Sequence, residues 1–135
     1  MFYTIIKNIE VVAAVIFKDN KIFATQRGYG EFKDGWEFFG GKIEKGESNE
    51  QVLIRELKEE LNVKVEVSDL IQTIEYTYST FHLTMHCYKA FLKDAEPELL
   101  EHEAVCWVGK DEIDKLDEWL PADIEVVKTV KVLLN

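Results

Sequence analysis

The stretch from Gly40 to Val63, GGKIEKGESNEQVLIRELKEELNV, constrains this chain more than any other. Its second half reads as a helix over 49–61. Ser48 is a strong N-cap, and Gln51 three residues later completes an S-x-x-Q capping box. Leu53, Leu57 and Leu61 recur at helical spacing, with Ile54 expected on the same apolar stripe. Asn62 can adopt the left-handed backbone that stops a helix. A helix with one apolar stripe needs another layer to cover it.

That layer is legible on both sides of the helix. Residues 10–17, EVVAAVIF, are apolar nearly throughout, as in a strand in the middle of a sheet. Lys18-Asp19-Asn20 turns the chain, and KIFATQ resumes the strand pattern, giving a hairpin with strands near 9–17 and 21–27. Residues 28–35, GYGEFKDG, form a loop longer than a tight turn, as functional loops often are. Trp36 to Phe39 is a short strand running into the glycine pair.

After the helix, 63–67 alternates as a strand, and 71–79 and 81–92 read as long antiparallel strands joined near Ser79-Thr80. Residues 104–108 add a strand and 111–116 a short helix. Pro121 at the first helical position starts a final helix, with Val126, Val127, Val130 and Leu133 or Leu134 on one face. The expected architecture is a single α+β domain over 1–135: an α/β/α sandwich, a mixed β-sheet flanked by helices.

Composition narrows the partners. Sixteen basic and 26 acidic residues give a formal charge of -10. That balance disfavours nucleic acid polymers and anionic membranes, which need basic patches. No apolar run reaches the ~18 residues of a membrane span. The opening MFYTIIKNIE lacks the pattern of a signal peptide, so the expected location is cytoplasmic. Cys87 and Cys106 are not in metal or redox spacing and read as reduced thiols. His82 and His86 would share one strand face, but two histidines without a third ligand do not make a zinc site.

On the helix, residues advance by about 100° each. With Arg55 at zero, Glu59, Glu56 and Glu60 fall near 40°, 100° and 140°, so three carboxylates share an arc of about 100°. Like charges on such a face repel, and a divalent cation would relieve them. Oxygen-only ligands suit Mg²⁺ or Mn²⁺. Gly40-Gly41 permits close backbone approach to a ligand. Lys42 is a candidate phosphate cation, and Arg55 can brace a carboxylate through a bidentate pair.

Gly41, five residues, Glu47, seven residues and then Arg55-Glu56-Leu57-Lys58-Glu59-Glu60-Leu61-Asn62-Val63 resembles the Nudix box, GX5EX7REUXEEXGU with U aliphatic. The one departure is Asn62, which stands where the family has glycine. The resemblance implies the Nudix α/β/α sandwich and hydrolysis of a nucleoside diphosphate linked to another group. It implies that Glu56, Glu59 and Glu60 bind metal with the Gly40 carbonyl. By the same resemblance Glu56 is the candidate general base, Arg55 orients it, and Glu47 stabilises the loop–helix junction.

EVVAAVIF, ATQR, WEFFGGKIE and WLPADI resemble the MutT-like branch, whose members cleave nucleoside triphosphates to the monophosphate and pyrophosphate. Substrates implied by that branch are an oxidised purine triphosphate such as 8-oxo-dGTP, or a cytidine-type triphosphate. Phe39 departs from the branch's usual proline. Arg27 then matches a substrate-contacting arginine, Asp123 a base-reading position, and Glu101 an additional metal-binding or base-assisting glutamate. Tyr78 and Phe38 are candidates for stacking on the base. The expected partner is a small nucleotide, and the protein is a monomer or homodimer. Readings that keep part of this picture are hydrolysis of ADP-ribose, a dinucleotide or a capped RNA end, and a non-catalytic nucleotide sensor.

Overall fold

A computed structural model describes residues 7–28, 30–94, 96–97, 104–116 and 118–135. The organising strand is β1 (Lys7–Lys18). It runs parallel to β6 (Phe81–Leu92) on one side and antiparallel to β4 (Phe39–Lys42) on the other. Its last two residues turn into β2 (Lys21–Gln26). β2 pairs antiparallel with β3 (Trp36–Glu37) and with β7 (Ala104–Val108). β5 (Val65–Thr77) closes the far edge against β6. The β1–β6 pair makes the sheet mixed, as expected.

Alternation along β1 explains the two layers. Val12, Ala14 and Ile16 point into a cluster with Val52, Leu53, Leu57 and Leu61 of helix α1 (Asn49–Leu61). Ala13 and Val15 point to the other face, into a cluster with Val126, Val127 and Val130 of helix α2 (Pro121–Leu133). α1 has the anticipated ends. Ser48 and Gln51 form both bonds of the capping box, and Asn62 is left-handed at φ 53°. Among the described residues no helix is long and apolar enough to cross a membrane.

Several expectations are corrected. Ile54 is 42% exposed, and Val52 is buried in its place. This turns the buried side of α1 toward Glu56 and Glu60, which lie between Val52 and Leu53 around the helix. The strands expected at 63–67 and 71–79 are one strand, β5, whose register against β6 shifts near Leu70. WEFF is divided at Phe38, and the glycine pair lies inside β4, opposite Val12 and Ala13. The helix expected at 111–116 is a single 3₁₀ turn, Ile113–Lys115. At the end of α2, Leu134 is buried and Leu133 is exposed.

Two connections position the site. The Arg27 amide donates to the Gly35 carbonyl at 2.9 Å, and the Asp34 amide to the Arg27 carbonyl at 2.8 Å, closing the loop after β2. Trp36 forms a parallel bridge to Trp119. In that bridge the Trp36 amide donates to the Glu118 carbonyl, and the Leu120 amide to the Trp36 carbonyl, both at 2.9 Å. The start of α2 is thus joined by backbone bonds to β3.

Candidate active site

α1 presents Glu56 and Glu60 toward β4. Arg55 forms a bidentate pair with Glu47, both contacts at 2.8 Å. Its Nη1 also donates to Glu56 Oε1 at 2.9 Å and, at 3.5 Å, to Glu59 Oε2. The Arg55 bonds hold the Glu47 carboxyl below its ordinary range and push the guanidinium further up. The bidentate brace thus goes to Glu47, across the loop–helix junction, and Glu56 receives a single bond. Arg55 itself offsets part of the repulsion among the helix acids.

The glycine pair is also constrained from within the protein. A Cβ on Gly41 would stand 2.5 Å from Glu56 Cγ and 2.7 Å from its Cδ. A Cβ on Gly40 would meet the Val12 carbonyl oxygen at 2.2 Å. Both constraints lie within the protein: Gly41 makes room for Glu56, and Gly40 lets β4 lie against β1.

Two clefts meet along residues 37–40. The larger, about 450 Å³, is lined by Arg27, Glu37, Phe38, Gly40, Glu56 and Glu60 among others. The smaller, about 200 Å³ and mostly apolar, includes Phe32, Phe38, Tyr78, Phe81, Met85 and Asp123 in its walls. Arg27, Glu37, Phe38 and Gly40 border both. Arg27 is held there by Glu37, its Nε and Nη2 each 3.0 Å from a carboxylate oxygen, while Nη1 donates to the Glu31 carbonyl at 3.1 Å. This pair raises the guanidinium against the opposing effect of its partial burial, the largest single influence.

Asp123 is only 4% exposed. Its Oδ1 accepts from the Phe38 amide at 3.0 Å, which leaves Oδ2 uncommitted by that bond. Burial pushes its pKa up to about 8, with Glu37 adding to the rise and the Phe38 amide and Arg27 opposing it. The carboxyl is therefore mostly protonated at neutral pH and can donate a hydrogen bond. Because the native state holds this proton more tightly than the unfolded chain, its stabilising contribution is complete below about pH 4. It is lost as pH rises toward 8. Asp123→Asn keeps an acceptor for the Phe38 amide and does not titrate. Across pH 4–8, thermal midpoints of the wild type should fall progressively relative to the variant. Parallel midpoint curves would contradict the buried, protonated assignment.

The remaining expected residues separate. Glu59 lies on the outer side of the Arg55 cluster, its side chain 57% exposed. Lys42 borders the apolar cleft, not the larger one with the acids. Phe38 is buried against Trp119, ring centroids 5.1 Å apart, and its amide holds Asp123. Tyr78 stacks on Phe81 at 4.8 Å and also touches Phe32 and Tyr76. Glu101 lies outside the described residues. His86 is bonded to Glu10 and Thr73, and His82 to Thr77. Sequence reasoning missed Glu37 and Phe32. Glu37 shows itself only through its pairing with Arg27, ten residues earlier, and Phe32 only through its packing on Tyr78.

The donor set fits a hard divalent cation. Glu56, Glu60 and Gly40, all oxygen donors, line one cleft. Among the described residues no three His, Cys, Asp or Glu side chains form a ready-made cage. Such a partial site suits Mg²⁺, which is commonly held by one or two carboxylates, waters and substrate phosphates.

Comparison with known proteins agrees with this geometry. The NUDIX domain profile matches residues 7–130. The chain is 34% identical over 128 residues to the CTP pyrophosphohydrolase of Escherichia coli (strain K12), covering 94% of each. It is 35% identical over 105 residues to the 8-oxo-dGTP diphosphatase of Proteus vulgaris, covering 76% of this chain and 92% of that one. The solution structure of the E. coli ORF135 protein superposes with a TM-score of 0.80 at 34% identity, covering 95% of this chain and 91% of that one. That of MutT from methicillin-resistant Staphylococcus aureus 252 gives 0.75 at 39%, covering 96% and 99%. The chain belongs to the Nudix family of pyrophosphohydrolases, in its MutT-like branch.

Proposed function

We propose that the protein hydrolyses a nucleoside triphosphate to the monophosphate and pyrophosphate with Mg²⁺, which Mn²⁺ can replace. The observation that carries this reading is the pair of clefts with a common wall. A polar cleft with Glu56 and Glu60 suits the phosphates, and an apolar cleft with Asp123 in its wall suits a base. Gly40, Glu56 and Glu60 would hold the metal, with Glu59 and Glu101 as further ligands. The cation would neutralise charge on the phosphates and lower the pKa of a bound water.

Glu56 takes the proton of the attacking water, and Arg55 fixes its orientation through the 2.9 Å bond. Water oxygen bonds to the β-phosphorus, and the bond from that phosphorus to the oxygen bridging the α-phosphate breaks. Arg27 lies at the junction of the clefts and can reach the phosphates or the sugar. Asp123 reads the base edge, and Phe38, Tyr78 and Lys42 wall the same cleft.

The names of the relatives point to an oxidised purine such as 8-oxo-dGTP or to a cytidine-type base. A panel of normal and oxidised nucleoside triphosphates, scored by kcat/KM with Mg²⁺, tests both. One of these two classes should lead, and reaction in ¹⁸O-water should label pyrophosphate. A panel without triphosphate hydrolysis, or label in the monophosphate, would refute the proposal.

A further inference from the structure

The start of α2 lacks an ordinary cap. Leu120 occupies the N-cap and offers no side-chain bond. Pro121 has no amide hydrogen, and the Asp123 and Ile124 amides both reach the Leu120 carbonyl, at 2.9 and 3.2 Å. That leaves the Ala122 amide, which an isolated helix would leave without a partner. It donates to the hydroxyl oxygen of Tyr78 at 3.2 Å. Tyr78 is 44 residues away in sequence and anchored in its own hairpin, its amide donating to the Phe81 carbonyl at 2.8 Å. Its ring is packed by Phe32, Tyr76 and Phe81.

We propose that Tyr78 is a positioning residue: its hydroxyl caps α2 from across the fold, fixes Asp123 one residue further on, and thereby sets discrimination among nucleobases. The proposal rests on Asp123 reading the base, as argued above. It assigns to the hydroxyl a part distinct from stacking by the ring. The oxygen accepts from Ala122, so its own proton is directed elsewhere. Asp123 is then held at two points, by the Phe38 amide on its carboxyl oxygen and by the capped turn on its backbone. Loss of either leaves the carboxyl in the cleft but free to tilt.

Tyr78→Phe removes the hydroxyl and keeps the ring. In the free protein, exchange of the Ala122 amide should accelerate about 10-fold, as expected for a lost cap. Over the nucleotide panel, the ratio of kcat/KM between preferred and disfavoured bases should fall about 10-fold, mainly through KM. In an Asp123→Ala background, which removes the reading group, Tyr78→Phe should produce no further fall. Three results would overturn the proposal: unchanged Ala122 exchange, an equal loss for every base, or a full effect persisting without Asp123. If the wild type hydrolyses no triphosphate, the reading of function fails on its own. The exchange measurement and calorimetric binding of nucleoside monophosphates then still decide the role of Tyr78.

Discussion

Replacing Glu56 by Gln should lower kcat about 10³-fold, the middle of the range for a lost general acid or base, with thermal stability kept. Gln has the same shape and retains an oxygen that can accept from Arg55 Nη1, so the contact at 2.9 Å survives. What disappears is the charge and the basicity. Steady-state kinetics with pyrophosphate detection, beside a thermal melt of the same sample, separates a catalytic loss from a loss of folding. A Gln variant with wild-type kcat would exclude this carboxylate as the proton acceptor.

The second large effect comes from the two adjacent glycines, which should fail in different ways. Gly41→Ala puts a methyl within 3 Å of three atoms of the Glu56 side chain, and a flexible side chain can swing away. The fold should persist while the carboxylate moves by about 1 Å or more, a misplacement able to cost about 10²-fold in rate. Gly40→Ala meets the Val12 carbonyl and Ala13 Cα, which are backbone atoms of the central strand. It should break the β1–β4 pairing and lower the melting temperature markedly. Measuring kcat and melting temperature on both variants tests the assignment. Equal melting losses would mean that Gly41 serves the sheet and not the glutamate.

What the sequence disclosed was local. Ser48, Gln51, the leucines of α1 and Asn62 lie within one helix, and side chains three or four residues apart decide its ends and its core. The central place of β1 was equally open, because EVVAAVIF has no polar face to show solvent. Long-range pairing was hidden. Nothing near Asp123 reveals that it is buried on the Phe38 amide, 85 residues away. Arg27 reads as a free cation until Glu37 is found beside it. That the glycine pair also makes room for Val12 and Glu56 was hidden, because those neighbours come from two other elements. Ile54 was misplaced for a related reason. Helical spacing gives the width of a buried stripe, while the sheet beneath decides where the stripe is centred.

The short run from Glu37 to Gly40 also behaves as a caliper. Phe38 holds Asp123 in the wall of the apolar cleft, and Gly40 borders the cleft that contains Glu56 and Glu60. Two residues of backbone span at most about 7 Å. The separation of the jaws is therefore bounded by covalent geometry. In the proposed binding mode a nucleotide would meet both jaws at once, its base edge at one and its phosphates at the other.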